Sequence, residues 1–375
     1  MEDVFILGDH IISPLGMDSE ENFSGVSQNK TGIQLHSDIN IQDEAFYASL
    51  LAQESLSKVE EAVQEYSRYT RLEKMIIYSI QSLIEKDSVE LDDKTLVVLS
   101  STKGNISLLD QKQGFPQERV YLSVLAEQIQ EYFQLKNTIV TLSNACISGS
   151  LAVSVARDLL QSPNYEKAIV VGADEISKFI FSGFSSFQAI SPVPCKPFDK
   201  DRAGVTLGEA VASVYLSKES HSGAVKIEGV GSHNDANHIS GPSRTGEGLY
   251  RSIQTALEES GRETVDFISA HGTATLYNDE MESIAFQRSG LLEVETNSFK
   301  GYYGHTLGAS GVLETILSIH SMKNDMLIKS IGFEEQGTTC PVSIIKNNRF
   351  GKIRSFLKTA SGFGGSNIAT VFSKI

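Results

Sequence analysis

Cys146 is the residue whose type and surroundings point most directly to chemistry. It stands between a short β-branched stretch and an apolar run of helical period, so the sequence predicts a thiol at a strand-to-helix turn. The unpaired amides and positive dipole at a helix start favour thiolate over thiol. The small neighbours Ala145, Ser148, Gly149 and Ser150 leave room for a bulky acyl group. Because a lone cysteine is most often a buried small hydrophobe, the nucleophile interpretation depends on partners elsewhere in the chain.

A first partner is His271. An apolar, strand-like stretch at 267–270 runs into His271, Gly272 and the small hydroxyl residues Thr273 and Thr275. Strand ends of this kind are where α/β proteins place chemistry. Taken alone, the imidazole is as compatible with a structural role as with a catalytic one.

A second partner is His305, in a glycine-rich segment that begins at Lys300 and leads into an apolar helix with Glu314. With Cys146 and His271 it completes a set of one thiol and two imidazoles. Acyl transfer followed by stabilisation of a developing oxyanion needs these parts.

In this order, the three segments resemble the elongating β-ketoacyl-acyl carrier protein synthases of the thiolase superfamily. The resemblance extends over most of the chain. Further similar segments are an opening strand and turn at 4–16, a central strand end at 171–175, a long loop around Pro-Phe-Asp at 194–210 and a glycine-rich turn at 361–367.

The fold class that the sequence indicates is α/β, because short β-branched strands alternate with helical periods. Such alternation predicts buried, mainly parallel sheets. The resemblance implies a thiolase-like, duplicated five-layer α-β-α-β-α body. We expect the first half, residues 1–220, to carry the nucleophile and the second, 221–375, to carry both histidines, with the polar stretch 218–223 as the seam.

The resemblance also implies the roles of the reacting residues. Cys146 takes the acyl chain, and His271 and His305 then face a malonyl thioester and stabilise its enolate. Neutral imidazoles suffice as hydrogen-bond donors, because decarboxylation generates the carbanion without a strong base. Lys300 is expected to support the site while paired with Glu314; a purely structural buried ion pair is the alternative.

Gating and support functions follow from the same resemblance. The backbone amides of Cys146 and Phe363 form the oxyanion hole, and Phe363 is an aromatic gate whose flanking Gly364 and Gly365 allow motion and positive φ. The supporting residues that we predict are Thr273 and Thr275 beside the first histidine, and Asp235 and His238 on a second mobile loop.

Composition limits the class of protein. The chain has 375 residues, a net charge of −15 and three cysteines. This charge argues against nucleic acid as a partner. No apolar stretch approaches the ~20 residues of a membrane span. The few cysteines and the lack of a basic leader make the cytoplasm the expected location. The resemblance implies no cofactor beyond the carrier's phosphopantetheine, and no metal.

The expected partner is acyl carrier protein, which is acidic in this system. A basic group at Arg68, Arg71 and Lys74, on one predicted helix, and Lys196 near the Pro-Phe-Asp core fall where relatives dock the carrier. Ordinary surface charge is the alternative interpretation.

A dimer is also expected. The stretch 137–142 before the nucleophile is β-branched and apolar, and in relatives the matching strand pairs with its two-fold mate. An uncovered sheet edge would be an aggregation hazard, and self-pairing satisfies a closed two-fold. The sequence leaves open whether the partner is a second copy or a related subunit.

Departures from the family pattern bear on the substrate. The segment 100–116 is short, so we expect a rebuilt pocket floor; Tyr302 and Tyr303 replace smaller residues, and Ser361 replaces a frequent Phe. These departures favour a specialised pathway, such as aryl polyene or polyketide-like synthesis, over ordinary fatty acid elongation. Acyl length and saturation stay open.

Two other classes of protein are alternatives. Chain-length-factor-like partner subunits lack the nucleophile that Cys146 provides. Other thiolase-superfamily enzymes act on coenzyme A thioesters with Cys, His and Asn, or with a second Cys near the C-terminus. Here His305 fills the second imidazole position, and Cys340 lies in no matching motif.

Overall fold

The computed structural model describes residues 2–38, 40–110, 114–235 and 241–375. Single-turn 3₁₀ helices lie at Tyr66–Arg68, Ile106–Leu109, Gln117–Val120 and Leu307–Ala309. The first-half elements are β1 (Phe5–Ile12), α1 (Ser19–Ser27), β2 (Ile33–His36), β3 (Phe46–Ser49), α2 (Gln53–Ala62), α3 (Arg71–Asp87), β4 (Thr95–Ser100), α4 (Leu122–Phe133), β5 (Val140–Leu142), α5 (Ser148–Leu160), β6 (Lys167–Asp174), α6 (Lys178–Ser186), β7 (Leu207–Gly208) and β8 (Ala210–Ser217).

The second-half elements are β9 (Val225–Asn234), α7 (Glu247–Ser260), β10 (Phe267–Ser269), α8 (Leu276–Arg288), β11 (Thr296–Asn297), α9 (Lys300–Tyr303), α10 (Ser310–Lys323), β12 (Met326–Leu327), β13 (Arg349–Phe350), β14 (Ser355–Ser361) and β15 (Ser366–Lys374). Within the described part of the chain, no helix is long and apolar enough to cross a membrane.

The main sheet shows a duplication that the sequence does not show. Its first half has the order β5-β4-β6-β8-β1 and its second half the order β11-β10-β14-β15-β9. When the strands of each half are numbered in chain order, the two halves have the same strand order. Each half also has two parallel and two antiparallel strand pairings, at the same places in that order. The halves meet where β1 pairs with β9 over two residues.

The prediction of mainly parallel sheets is therefore wrong, since each half is mixed. In the second half the antiparallel pairing of β14 with β15 is imposed by a hairpin. The turn at 362–365 closes with a 2.8 Å hydrogen bond from Gly362 N–H to the Ser366 carbonyl, so β15 must reverse direction.

Three apolar cores separate the layers. Along β6, Ile169 and Val171 face a core with α3 and α4, whereas Ala168 and Val170 face a central core with α5 and α10. A third core packs α7 and α8 on the opposite sheet face. This period-two alternation produces the layers α, β, α, β, α and confirms the predicted five-layer fold.

The two central helices touch at glycines. A Cβ at Gly311 on α10 would lie 2.1 Å from the Ser150 backbone nitrogen on α5, and one at Gly149 would lie 3.0 Å from the Gly311 nitrogen. Only glycine permits so close an approach of backbones. The N-termini of α5 and α10 therefore meet at the centre of the molecule.

Candidate active site

Cys146 lies in the turn between β5 and α5. The preceding Ala145 has φ of 44°, a left-handed conformation that is strained for a residue with a Cβ. The Ser148 hydroxyl accepts from Asn144 N–H at 2.8 Å and donates to the Ala145 carbonyl at 2.7 Å, which holds the turn. The predicted strand-to-helix thiol is found, and its side chain is almost completely buried.

His271 follows β10, and His305 lies between α9 and α10. The Cys146 sulfur and a ring nitrogen of each histidine all lie within 4.8 Å of one another. The two imidazoles are nearly perpendicular, at 84° with centroids 5.3 Å apart. The duplicated fold thus brings together three residues that are up to 159 positions apart in the sequence.

The hydrogen bonds fix which ring nitrogen carries the proton. Lys300 Nζ lies 3.4 Å from His271 Nδ1, and the backbone N–H of Leu307 lies 3.2 Å from His305 Nδ1. An ammonium and an amide can only donate, so both Nδ1 atoms accept and each Nε2 bears the hydrogen. His305 Nε2 is buried without a hydrogen-bond partner among the described residues, as a donor that awaits substrate would be.

Both imidazoles are held neutral. Burial, followed by the positive charge of Lys300, lowers the pKa of His271 and of His305 well below the ordinary histidine value. Two neutral Nε2–H donors therefore face the thiol at neutral pH.

The thiol itself is not ionised at rest. Burial raises the pKa of Cys146 to about 11. Lys300 and the Phe363 backbone N–H, which donates to the sulfur, act in the opposite direction without overcoming burial. The expectation that the helix start would favour thiolate is wrong for this state, because desolvation penalises the charged form.

A buried ion cluster lies behind the histidines. Lys300 Nζ pairs with Glu314 Oε1 at 2.6 Å, and both side chains are inaccessible to solvent. A second lysine, Lys358 on β14, pairs with Glu314 Oε2 at 2.6 Å. Sequence reasoning missed Lys358, although a lysine inside an apolar strand is a signal, since lysine is almost never buried without a partner.

Two further carboxylates that sequence reasoning missed hold the backbone at the site. Glu282 on α8 accepts from His271 N–H at 2.9 Å and from Gly272 N–H at 2.6 Å. Asp174, at the end of β6, accepts from Gly308 N–H at 2.6 Å, in the turn after His305. An acidic residue at a strand end or on a helix is a weak sequence signal for a buried carboxylate, because most acids at such positions are solvated.

Phe363 lies in an aromatic cluster above the thiol. Its ring stacks on Phe184 at 5.9 Å and meets Phe187 edge to face at 5.4 Å. Gly364 and Gly365 have φ of 88° and 83°, so the turn has the left-handed geometry that was predicted for a glycine-flanked gate.

The gate turn is tied to Asp235. Asp235 N–H donates to the Gly365 carbonyl at 2.7 Å, and the Asp235 carboxylate accepts from Gly248 N–H at 2.7 Å and from the Asn367 amide at 3.1 Å. The other residue predicted for this loop, His238, lies outside the described residues.

A cavity of about 350 Å³ opens onto the thiol. Thr273 and Thr275 line it with their hydroxyls 2.9 Å apart, and Thr275 also caps the start of α8. The lining includes the three reacting residues, the aromatic cluster and Ser361.

The residues that depart from the family pattern at 302 and 303, and in the described part of the short segment 100–116, lie away from the cavity. Tyr302 and Tyr303 are completely buried in the central core, where the Tyr302 hydroxyl donates to the Lys329 carbonyl. They do not line the cavity, nor does any described residue of 100–116. Neither the tyrosines nor the short segment therefore contacts the described cavity, and the expected rebuilding of the pocket floor stays a prediction. The pair fills space between the layers instead.

The basic group has a different arrangement from the one predicted. Thr70 and Glu73 form a capping box that starts α3 at Arg71, so Arg68 lies in a separate 3₁₀ turn and the three cations do not share one helix. Arg71 pairs with the buried Glu209 and with Glu175.

The other two cations of the group differ in exposure. Lys74 pairs with Glu60 and is largely covered. Arg68 is exposed, where it pairs with Glu65 at 2.7 Å, and Lys196 is half-buried.

One thiol and two imidazoles could also ligate a metal such as zinc. The cluster's electrostatics oppose this. Lys300 lies 3.4 Å from one of the imidazoles, and Lys300, Lys358 and the carboxylate of Glu314 that they share carry a net positive charge, which disfavours a divalent cation. The three side chains fit a nucleophile with two hydrogen-bond donors better than they fit a metal site.

The fold and this site are those of a condensing acyltransferase. Residues 1–222 match the family model "Beta-ketoacyl synthase, N-terminal domain" and residues 224–334 match "Beta-ketoacyl synthase, C-terminal domain". The chain therefore belongs to the β-ketoacyl synthase family.

Among its relatives is 3-oxoacyl-[acyl-carrier-protein] synthase 2 of Synechocystis sp., 32% identical over 251 residues that cover 61% of this chain and 60% of that protein. Nodulation protein E of Rhizobium leguminosarum bv. trifolii is 25% identical over 77% of this chain and 73% of its own length. In a solved structure of the ketosynthase ApeO with its chain length factor ApeC from Xenorhabdus doucetiae, the matched chain has a TM-score of 0.87 at 23% identity, covering 100% of this chain and 98% of that one.

Proposed function

We propose that the protein catalyses a decarboxylative Claisen condensation on carrier-bound thioesters. The observation that carries this is a buried thiol beside two neutral imidazoles: the Cys146 sulfur and a ring nitrogen of each histidine lie within 4.8 Å of one another. Neutral donors beside a nucleophile suit enolate chemistry rather than hydrolysis, which would need a general base poised to activate water.

The first half-reaction is acyl transfer. The Cys146 thiol attacks the carbonyl of an acyl-phosphopantetheine thioester, and the Cys–S–acyl bond forms as the carrier thiol leaves with the proton. The tetrahedral oxyanion is held by the backbone N–H groups of Cys146 and Phe363. Movement of Phe363 admits the acyl chain.

The second half-reaction forms the carbon–carbon bond. A malonyl thioester loses carbon dioxide, and the electron pair of the broken bond becomes an enolate whose oxygen accepts from His271 and His305. The enolate carbon attacks the acyl-Cys146 carbonyl. Collapse releases the Cys146 thiolate, which takes up a proton, and a 3-ketoacyl thioester on the carrier. No cofactor beyond the carrier's phosphopantetheine enters these steps.

We infer that the acyl substrate belongs to a specialised pathway rather than to bulk fatty acid elongation. Ser361 in the cavity wall supports this. The three rings of Phe184, Phe187 and Phe363 also offer flat surfaces on which a conjugated chain stacks. A matched pair of saturated and polyenoyl carrier thioesters of equal length tests it: faster acylation by the polyenoyl chain is expected, and a preference for the saturated chain would contradict it.

The carrier partner and its docking surface are also proposals. Of the four predicted cations, Arg68 and Lys196 are the better docking candidates. The Arg68 side chain is 56% exposed although it pairs with Glu65, whereas those of Arg71 and Lys74 are 32% and 13% exposed. Charge reversal of Arg68 should raise the KM for carrier-bound substrate and leave the rate with a small pantetheine thioester unchanged. An unaltered KM would exclude Arg68 from docking.

We propose dimerisation through the free edge of β5, which is the last strand of the main sheet as described. The partner is a second copy or a related subunit; the pairing of ApeO with a chain length factor shows the second arrangement in a protein of this fold. Light scattering should give about twice 40.9 kDa for a homodimer. A stable monomer at micromolar concentration, with and without such a subunit, would contradict this.

We propose that the halves divide at 220/221, which agrees with the repeat of strand order, and that the protein works in the cytoplasm, for which its three free cysteines are suited. A role as a silent partner subunit is disfavoured, because Cys146 and both histidines are present and assembled.

The reaction is tested by supplying acyl-carrier and malonyl-carrier thioesters and measuring carbon dioxide and the 3-ketoacyl product by mass spectrometry. Product is expected from the wild type and from the control Cys340→Ala, whose thiol donates to the Gln287 side-chain oxygen at 3.0 Å and does not line the described cavity. It should be absent from Cys146→Ala. Product from Cys146→Ala would refute the proposed function.

A further inference from the structure

A lysine with no role in the reaction described above lies behind the histidines. Lys358 is on β14, in register with Ser269 on β10, and its side chain is 1% exposed. Its Nζ pairs with Glu314 Oε2 at 2.6 Å and donates to the carbonyls of Thr359 at 2.7 Å and Ser269 at 3.3 Å. Burying this ammonium is costly, so a position that keeps it needs an explanation.

Glu314 is shared between two ammonium groups. Lys300 faces Oε1 and Lys358 faces Oε2, each at 2.6 Å. One carboxylate neutralises only one cation, so the three side chains together retain a positive charge. Lys300 presents that charge to His271, whose Nδ1 lies 3.4 Å from its Nζ.

We propose that Lys358 is a positioning residue of the condensation: it occupies Oε2 of Glu314, leaves Lys300 incompletely neutralised, and thereby keeps His271 a neutral Nε2–H donor. This inference rests on the proposed function. Burial is the largest cause of the lowered pKa of His271, and Lys300 and Lys358 add to it.

The other titratable groups that face this cluster do not replace Lys358. Glu282 on α8 accepts from the backbone N–H of His271 and from the Thr359 hydroxyl rather than from the ring. Asp279, on the same helix, accepts from Thr273 N–H. Neither carboxylate contacts the His271 ring.

On the remaining side, the ring of His271 meets two groups that carry no compensating charge. His305 is neutral, since burial keeps its pKa low, and Cys146 is a thiol with its pKa raised to about 11. The charge at His271 is therefore controlled by Lys300, and through Glu314 by Lys358.

The test separates this electrostatic role from a structural one by using Lys358→Met and the double variant Lys358→Met/Glu314→Gln. Lys358→Met leaves Lys300 and Glu314 as a neutral pair. The double variant removes one charge of each sign, so Lys300 again carries the uncompensated charge. Malonyl decarboxylation is measured from pH 5 to 9, and acylation of Cys146 is measured by mass.

In Lys358→Met we expect the acid limb of the decarboxylation profile to move up by about one pH unit, the scale for losing a nearby charge. Acylation should stay within about threefold, and thermal stability should be equal or higher, since replacing a buried ion by an apolar side chain is often neutral or stabilising. The limb of the double variant should return towards the wild-type position.

Two results would overturn the inference: an unshifted limb in Lys358→Met, or an equal loss of rate at every pH in both variants, as a structural role predicts. If Lys358→Met does not fold, Lys358→Arg keeps the charge and must keep the wild-type limb; a shifted limb there would also overturn it. A wild type that is acylated but releases no carbon dioxide would instead refute the proposed function.

Discussion

Gly149 and Gly311 lie backbone to backbone where α5 crosses α10. A Cβ on Gly149 would be 2.8 Å from the Gly308 carbonyl oxygen as well as 3.0 Å from the Gly311 nitrogen. Cys146 precedes α5 and His305 precedes α10, so this crossing sets the distance between the proposed nucleophile and one of the proposed donors. The central layer of the fold is thus part of the active-site geometry.

Gly311→Ala should therefore destabilise the protein. The new methyl group meets backbone atoms that cannot rotate away, so we expect a loss of about 2 kcal/mol or more in the free energy of unfolding. Denaturant unfolding measures it. Gly183→Ala on α6 is the matched control, because a Cβ there meets no atom within 4 Å and alanine is the better helix former. Equal stability of the two variants would mean that the crossing is looser than described.

The resting thiol should be slow to alkylate. With a pKa of about 11, only a small fraction of Cys146 is thiolate at neutral pH, and that fraction rises about tenfold per pH unit. The rate of Cys146 carbamidomethylation, followed by peptide mass, is expected to keep rising from pH 7 to 9.5. A plateau between pH 7 and 8 would show instead that the helix start and Lys300 outweigh burial.

Either histidine should be needed mainly after acylation. In His271→Ala and His305→Ala we expect carbon dioxide release from malonyl-carrier thioester to fall by a factor of about 10² or more, the effect of losing one positioned donor, while acylation stays measurable. His221→Ala, at an exposed ring that lies outside the described cavity and contacts the Ser222 carbonyl, is the control. Normal turnover in both histidine variants would remove them from the mechanism.

The gate should open more easily without Phe187. Phe187→Ala removes the edge-to-face contact with Phe363, worth about 0.5–1.5 kcal/mol, so the initial rate of Cys146 acylation by a long acyl chain should rise about two- to tenfold. Phe179→Ala is the control, because Phe179 is another exposed phenylalanine of the same helical region and does not line the cavity. If both variants are acylated at the wild-type rate, Phe187 does not restrain the gate.

From local context and the family resemblance, the sequence predicted that Cys146, His271 and His305 lie at one site, because each follows a strand or precedes a helix. The structure brings the three side chains together, and their roles in the reaction stay a prediction. The fold class followed from alternating elements and the family resemblance. Mixed strand direction was missed, since the hairpin turn at 362–365 was interpreted only as a gate.

What the sequence could not predict depends on long-range contacts. The ionisation of Cys146 is decided by burial, which local sequence does not show, and the sharing of Glu314 joins Lys300 to a lysine 58 positions later. The partners of Arg71 are likewise distant, at Glu175 and Glu209. The basic residues therefore looked like a docking surface, although Arg71 is half-buried and held in ion pairs within this chain.

Detection of an acyl-enzyme is the most direct test of whether Cys146 is the nucleophile. The protein is incubated with an acyl-carrier thioester and its intact mass is measured, alongside Cys146→Ala and the control Cys195→Ala, whose buried thiol contacts the Lys300 carbonyl. We expect the mass of the wild type and of Cys195→Ala to increase by one acyl group, and the mass of Cys146→Ala to stay unchanged. An adduct of the same mass on Cys146→Ala would place the nucleophile elsewhere and contradict it.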